Sequence, residues 1–193
     1  MILKSFIIEK NISILDKYSL ALIYGENIGL KDDIKIEIKK FFKEYEQINF
    51  NQNEILKNEE LLNEQLNNIS LFSKKKLIFI NEVSDKIKKK IEQILENPDL
   101  NFKVILFAQN LEKKSVIRGM FEKGKNTGIV ACYQDTHRNL SEYLRKKLEG
   151  FVGLNQEVIN LLISNSGMDR KTLSHEINKI KSLFLDKKIE FEK

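Results

Sequence analysis

The chain has 193 residues, of which 41% are apolar and 32% charged. That balance suits one medium globular domain, or one with a smaller companion, and excludes the low-hydrophobicity signature of a disordered chain. No apolar run approaches the roughly 18 residues of a membrane span. The opening Met1-Ile2-Leu3-Lys4-Ser5-Phe6-Ile7-Ile8-Glu9 has no unbroken apolar segment or small-residue cleavage site, so no secretory signal and no membrane partner are expected. The net charge of +5 admits a nucleic-acid partner, since Lys and Arg displace counterions from phosphates. A lysine-, isoleucine- and asparagine-rich composition also follows from an AT-rich genome, and charge alone does not separate the two. The single cysteine, Cys132, allows no internal disulfide, and the two histidines lie far from it in sequence. No metal cluster is expected, and a reducing cytoplasm is.

Five short apolar runs read as strands: Ala21-Leu22-Ile23-Tyr24, Gln47-Ile48-Asn49-Phe50, Leu77-Ile78-Phe79-Ile80, Val104-Ile105-Leu106-Phe107-Ala108 and Ile129-Val130-Ala131-Cys132-Tyr133. Three are nearly continuous, as parallel strands covered on both faces require. Between them Ile34, Ile38, Phe41, Phe42 and Ile87, Ile91, Ile94, Leu95 recur at helical spacing. Pro98 marks the stop of the second helix, and Asn51 to Asn68 is a polar stretch with no assigned element. From Asn139 onward only helical patterns remain. Leu140, Leu144 and Leu148 share one face, Val158, Ile159, Leu161 and Leu162 line the next, and Leu173, Ile177, Ile180 and Phe184 form a narrow seam. Gly150, Gly153 and Ser166-Gly167 punctuate the gaps. The pattern predicts an α/β domain over 1–138 and a small three-helix domain over 139–193. The charged ending Lys187 to Lys193 reads as an interrupted element, so a further C-terminal portion is expected.

The turn after the first run, Tyr24-Gly25-Glu26-Asn27-Ile28-Gly29-Leu30-Lys31-Asp32, stands where a P-loop would cradle phosphates. That loop needs a second glycine, a lysine and a hydroxyl at the places held by Leu30, Lys31 and Asp32, so only the lysine survives. Leu30 adds a side chain where the backbone must approach phosphate. Asp32 and Asp33 are expected at the helix N-terminus, where they would repel an anion. An ordinary strand-to-helix turn reads equally well. A second departure is independent: the strand Leu77-Ile78-Phe79-Ile80 is followed by Asn81-Glu82, with a neutral amide where P-loop ATPases hold Mg²⁺ with an acidic residue. Glu82 is left as the residual base. Two failed positions argue against hydrolysis more strongly than one.

The chain resembles the delta subunit of the bacterial DNA polymerase III clamp loader. The resemblance is carried by Leu22-Ile23-Tyr24-Gly25-Glu26, by Ile69-Ser70-Leu71-Phe72-Ser73-Lys74-Lys75-Lys76 running into Leu77 to Ile80, by Val104 to Ala108 followed by Leu111-Glu112-Lys113-Lys114-Ser115, and by Leu173 to Ile180. It implies an AAA+-like α/β domain, a parallel sheet with helices on both faces and a decayed nucleotide site, then a three-helix lid; the family's collar is absent from this chain. It implies no catalysis and no cofactor in the chain itself, which would act within a polymerase holoenzyme. In that family a Ser-Leu-Phe segment inserts its apolar pair into the sliding clamp and helps to open the ring; the matching residues are Ser70, Leu71 and Phe72. Read alone, Leu71 and Phe72 fit either an exposed anchor or closure of a local core. Burying them is worth roughly 1.5–3 kcal/mol each before association costs, so neighbours such as Ile69, Lys74 and Lys75 are expected to contribute. Asn67 falls where some relatives carry glutamine. The partners implied are the clamp, other loader subunits and primed DNA, with direct DNA contact left open.

Gly167-Met168-Asp169-Arg170 has the spacing of a lid arginine that senses the γ-phosphate in ATP-binding relatives. Without a competent phosphate loop, Arg170 reads as a vestige or a solvated helix-start residue, and Arg118 reads as surface charge. Two rival functions remain open: an active ATPase using Lys31, Glu82 and Arg170, and a basic DNA-binding protein using Lys74 to Lys76 and Lys86 to Lys90.

Overall fold

Runs that are apolar on both faces form stable strands only where helices cover both sides, and the chain builds such a sheet. The computed structural model describes residues 1–58, 60–67, 75–96 and 102–189. Within them lie β1 (Ile2–Lys4), α1 (Ser5–Lys10), a 3₁₀ segment (Ile12–Lys17), β2 (Leu20–Tyr24), α2 (Ile28–Phe41), β3 (Glu46–Asn51), α3 (Gln52–Lys57) and α4 (Glu60–Asn67). The chain continues with β4 (Lys76–Val83), a 3₁₀ turn (Asp85–Ile87), α5 (Lys88–Glu96), β5 (Phe102–Ala108), α6 (Val116–Lys123) and β6 (Thr127–Ala131). Three helices close it: α7 (His137–Lys147), α8 (Gln156–Asn165) and α9 (Arg170–Leu183). Contacts divide the chain into two compact units, Met1–Glu26 with Lys31–Cys132, and Asn27–Leu30 with Tyr133–Lys193.

The first unit holds a sheet in the order β1-β6-β2-β5-β4-β3, parallel at every pairing. Strand β2 lies between β5 and β6, with Leu22 opposite Leu106 on one side and Ile129 on the other. All five of its residues are buried. Alternation splits the side chains between two layers. Leu20, Leu22, Ile78, Ile80, Val104 and Leu106 join Ile55, Leu62, Ile91, Ile117 and Phe121 from the helices of one layer. Phe79 and Phe107 face the other way, beneath the Lys35 side chain of α2.

Local chemistry sets the helix starts. Asn51 and Glu54 close a capping box at α3. Ser115 caps α6 by accepting from the Arg118 N–H, while its hydroxyl donates to Asp85 Oδ1 at 2.7 Å and the Ile117 N–H reaches the same oxygen at 3.0 Å. In the second unit Thr136, Asn155 and Asp169 cap α7, α8 and α9. There Leu140, Leu144, Leu148, Ile159, Ile163, Leu173, Ile177 and Ile180 form one core.

Several sequence expectations change. The polar stretch after Asn51 contains α3 and α4, because Ile55, Leu62 and Leu66 supply an apolar stripe among the amides. The edge strand β1 was too short to show a pattern. Strand β6 ends at Ala131, and Tyr133 is exposed. On α8 the inward residue is Ile163, four after Ile159, while Leu161 is half exposed. Helix α2 starts at Ile28, so Asp32 and Asp33 fall in its second turn and the first turn carries no acid. Lys76 and Lys90 are buried while Lys75, Lys86 and Lys89 are exposed, so each lysine run is a solvated face only in part. Arg118 is no free surface charge: it pairs with Glu122 and lies over the Tyr24 ring. Pro98 lies outside the described residues. Among those residues no helix is long and apolar enough to cross a membrane.

Burial works to raise the Asp85 carboxyl, but the Ile117 N–H, the Ser115 hydroxyl and the Val116 N–H outweigh it, so its pKa lies below the usual value. A depressed carboxylate contributes stability that is present above the unfolded pKa of about 3.9 and lost as pH falls through the folded value. Asp85→Asn keeps the acceptor and removes the charge. It should cost about 0.3–0.5 kcal/mol at neutral pH, solvent screening included, and urea unfolding should show that difference shrink as pH falls below the unfolded carboxylate value of about 3.9.

Candidate functional site

The C-terminal edge of a parallel sheet, beside a strand flanked by crossovers in both directions, is where α/β folds place ligands. Here that edge holds Gly25, Lys31, Asn81 and Glu82. Gly25 has φ +129°, and a Cβ on it would collide with the Cys132 carbonyl. Its N–H donates to Gln109 O at 3.2 Å, and the Cys132 N–H donates to Tyr24 O at 2.7 Å. Glycine is required because β6 passes against the turn. Close approach of a phosphate is not needed to explain it.

Lys31, the surviving P-loop lysine, turns its ammonium onto protein oxygens. Nζ donates to Gly25 O at 2.7 Å and to Ala108 O at 2.9 Å, joining the ends of β2 and β5. Burial pulls its pKa below the usual lysine value, against the opposing pull of Cys132, Asp32 and Glu26.

At the metal position, both ends of the Asn81 amide are engaged: Nδ2 donates to Phe50 O at 3.0 Å and Oδ1 accepts from Lys35 Nζ at 2.8 Å. Glu82 has φ +56° and lies where the β4–β5 register shifts between Ile80 and Val83. The Asn51 amide, at the end of β3, donates to its carboxylate. Among the described residues no three His, Cys, Asp or Glu side chains gather as a metal site.

The second unit uses the other candidates. Buried Asn27 accepts from the Leu30 N–H at 2.9 Å, capping α2, and its amide donates to Tyr133 O at 3.0 Å and Asp135 Oδ2 at 2.7 Å. Arg170 grips the same carboxylate twice, Nε to Oδ2 at 2.7 Å and a terminal nitrogen to Oδ1 at 2.8 Å. Both side chains of the pair are 3% exposed. The guanidinium lies 4.7 Å from the Tyr143 ring centre. Leu30 is buried, and a Cβ on Gly29 would lie 2.6 Å from the Lys171 backbone nitrogen. Arg170 is therefore a buried ion-pair residue, contrary to the solvated helix start expected of it.

Sequence reasoning named Lys31, Asn81 and Arg170 but missed Asn27, Lys35 and Asp135. An Asn three residues before Leu30 was a readable N-cap signal. Nothing local marks Asp135. Ser70, Leu71 and Phe72 lie outside the described residues. Their neighbours are placed: Leu62 and Leu66 of α4 pack in the core, and Lys76 Nζ donates to Gln65 O at 2.7 Å, joining the start of β4 to α4.

Two predictions follow from this geometry. Asp135→Ala should destabilise the chain by about 3–5 kcal/mol in urea unfolding, because Arg170 is left charged and buried, while Asp135→Leu with Arg170→Met recovers most of the loss. Gly25→Ala should lower the melting temperature through a backbone clash that no side-chain motion relieves, at a cost of about 1–3 kcal/mol.

No protein-family model matches the chain. Over 171 residues it is 25% identical to a probable DNA polymerase III subunit delta of Rickettsia prowazekii, covering 85% of this chain and 50% of that protein. Among solved structures, the Bacillus subtilis DNA clamp loader delta protein YqeN matches with TM-score 0.65 at 12% identity, over 96% of this chain and 59% of that one. AMPPCP-bound DnaA from Aquifex aeolicus matches with TM-score 0.53 at 21% identity, over 94% and 60%. The chain thus spans about half the length of the curated relative it matches. By sequence the chain is similar to a probable DNA polymerase III subunit delta, and its fold is similar to those of the clamp loader delta protein and DnaA.

Proposed function

We propose that this chain acts as a clamp-loader delta-type subunit that binds the ring-shaped sliding clamp and helps to open it for loading onto primed DNA, without binding or hydrolysing ATP. In this reading residues 1–138 are the AAA+-like domain and 139–193 its lid. Other loader subunits handle the nucleotide. The observation that carries the ATP-independent part is Lys31, whose ammonium is bonded to two backbone carbonyls. Leu30, Asp32 and Asn81 hold the places of a P-loop glycine, a metal-binding hydroxyl and a metal-binding acid. Clamp contact is assigned to Ser70, Leu71 and Phe72 on the strength of the family likeness, supported by the sequence relative. Anchoring of α4 to β4 through Lys76 and Gln65 supports it further, since a rigid base on either side lowers the entropy cost of presenting an apolar pair.

Binding of the cognate sliding clamp, measured by calorimetry, should weaken at least about 100-fold in Leu71→Ala with Phe72→Ala, matching roughly 3 kcal/mol of lost burial. Unchanged affinity would remove the clamp assignment. In the same chain, Mg-ATP should show no saturable binding; micromolar affinity abolished by Lys31→Ala would restore the ATPase reading.

A further inference from the structure

Ile34 and Ile38 of α2, and Phe42 just beyond its end, recur every four residues and are buried, so they carry the inward stripe of the helix. Phe41 stands one position to the side and is 44% exposed. A single exposed phenylalanine needs no explanation by itself. This one is held in place. Its ring meets Phe42 edge-on at 4.8 Å between centres, and Phe42 meets Tyr45 at 5.0 Å. The Lys103 ammonium fixes Phe42 from another side, 5.4 Å from the ring centre, while donating to Asp16 O at 2.7 Å. The Tyr45 N–H closes the turn after α2 by donating to Phe42 O at 3.0 Å. The rings therefore form a row with one end in water. Aromatic side chains have few rotamers to lose, so such a row costs little entropy when a partner covers it.

The other end of the row leads to the start of β4. Strands β3 and β4 are parallel with Glu46 opposite Lys76, so both begin at one end of the sheet. The Glu46 N–H, next to Tyr45, donates to Lys75 O at 2.9 Å, and the Lys75 ammonium lies 6.0 Å from the Tyr45 ring centre. Lys75 is exposed and Tyr45 half-buried. Lys75 comes three residues after Phe72, and three residues of chain reach at most about 11 Å. The aromatic row thus lies beside the residue into which the segment proposed for clamp contact runs. Area gives a second reason to look there. A stable interface takes about 800 Å² from each partner. A side chain as large as Phe buries about 150–250 Å², so Leu71 and Phe72 leave at least roughly half of that area to their surroundings.

We propose that Phe41 and Tyr45, with the exposed Lys75 ammonium beside them, form a second contact for the sliding clamp, separate from the Leu71–Phe72 pair. It takes an apolar patch of the clamp with a carboxylate at its border, the ring of Phe41 covering the first and Lys75 meeting the second. The proposal rests on the clamp reading given above and adds to it the surface that completes the interface. Because Phe42 sets the rings before the clamp arrives, the contact governs how long the complex lasts more than how fast it forms.

The test is surface plasmon resonance of the chain on its cognate sliding clamp. Phe41→Ala should weaken binding about tenfold, mainly through faster dissociation, while Phe41→Leu, which keeps most of the apolar area, should retain most of the affinity. Phe6→Ala is the control: Phe6 of α1 is 53% exposed, and its loss should leave the affinity unchanged. Direct contact is read separately. Phe41→p-benzoylphenylalanine should cross-link to the clamp on irradiation, and Phe6→p-benzoylphenylalanine should not. An unchanged dissociation rate in Phe41→Ala, absence of the cross-link from position 41, or an equal loss in Phe6→Ala would overturn the proposal. If the unaltered chain binds the clamp through Leu71 and Phe72 and Phe41→Ala is silent, this contact alone falls; if the unaltered chain binds no clamp, the clamp reading falls and this contact with it.

Discussion

A sheet whose central strand is buried on both faces leaves backbone carbonyls at its C-terminal edge, where the ladder ends, and each needs a donor. In this chain the Lys31 ammonium serves two of them, at the ends of β2 and β5. The arrangement around β2 follows from that demand. Gly25 allows β6 to pass against the turn, and Gln109 O accepts the Gly25 N–H. The edge where an α/β fold ordinarily receives a ligand is therefore held together by the chain's own groups.

The same substitution of internal partners recurs in the helical unit. A carboxylate and a guanidinium that are both almost fully buried are costly to desolvate, and they persist only where geometry and extra hydrogen bonds compensate. Asp135 meets that condition by accepting from Arg170 twice and from Asn27 once, while Tyr143 covers the guanidinium. Asn27 in turn caps α2. One carboxylate thus stabilises both a helix start and an arginine at the start of another helix.

The segment proposed for clamp contact lies between α4 and β4 in the sequence, and both of these are anchored: α4 through Leu62 and Leu66, β4 through its buried strand residues and Lys76. The aromatic row that ends at Phe41 rests on buried Phe42. Each of these anchors draws its rigidity from the core of the first unit.

The α/β class, four of the strands nearly to their ends and the three closing helices were legible because burial on both faces writes long apolar runs, and a helix stripe writes spacings of three and four. Helices α3 and α4 were hidden because amides diluted their stripe, and β1 because three residues carry no period. The loss of the P-loop pattern at Leu30, Asp32 and Asn81 was likewise a property of residue type, readable without coordinates. What those residues do instead was decided only by the fold. Lys31 reaches a carbonyl 77 residues away and Arg170 a carboxylate 35 residues away. Hydrogen bonds between such distant positions leave no local pattern, since either partner alone is indistinguishable from a solvated polar side chain until the sheet and the helices bring the two together.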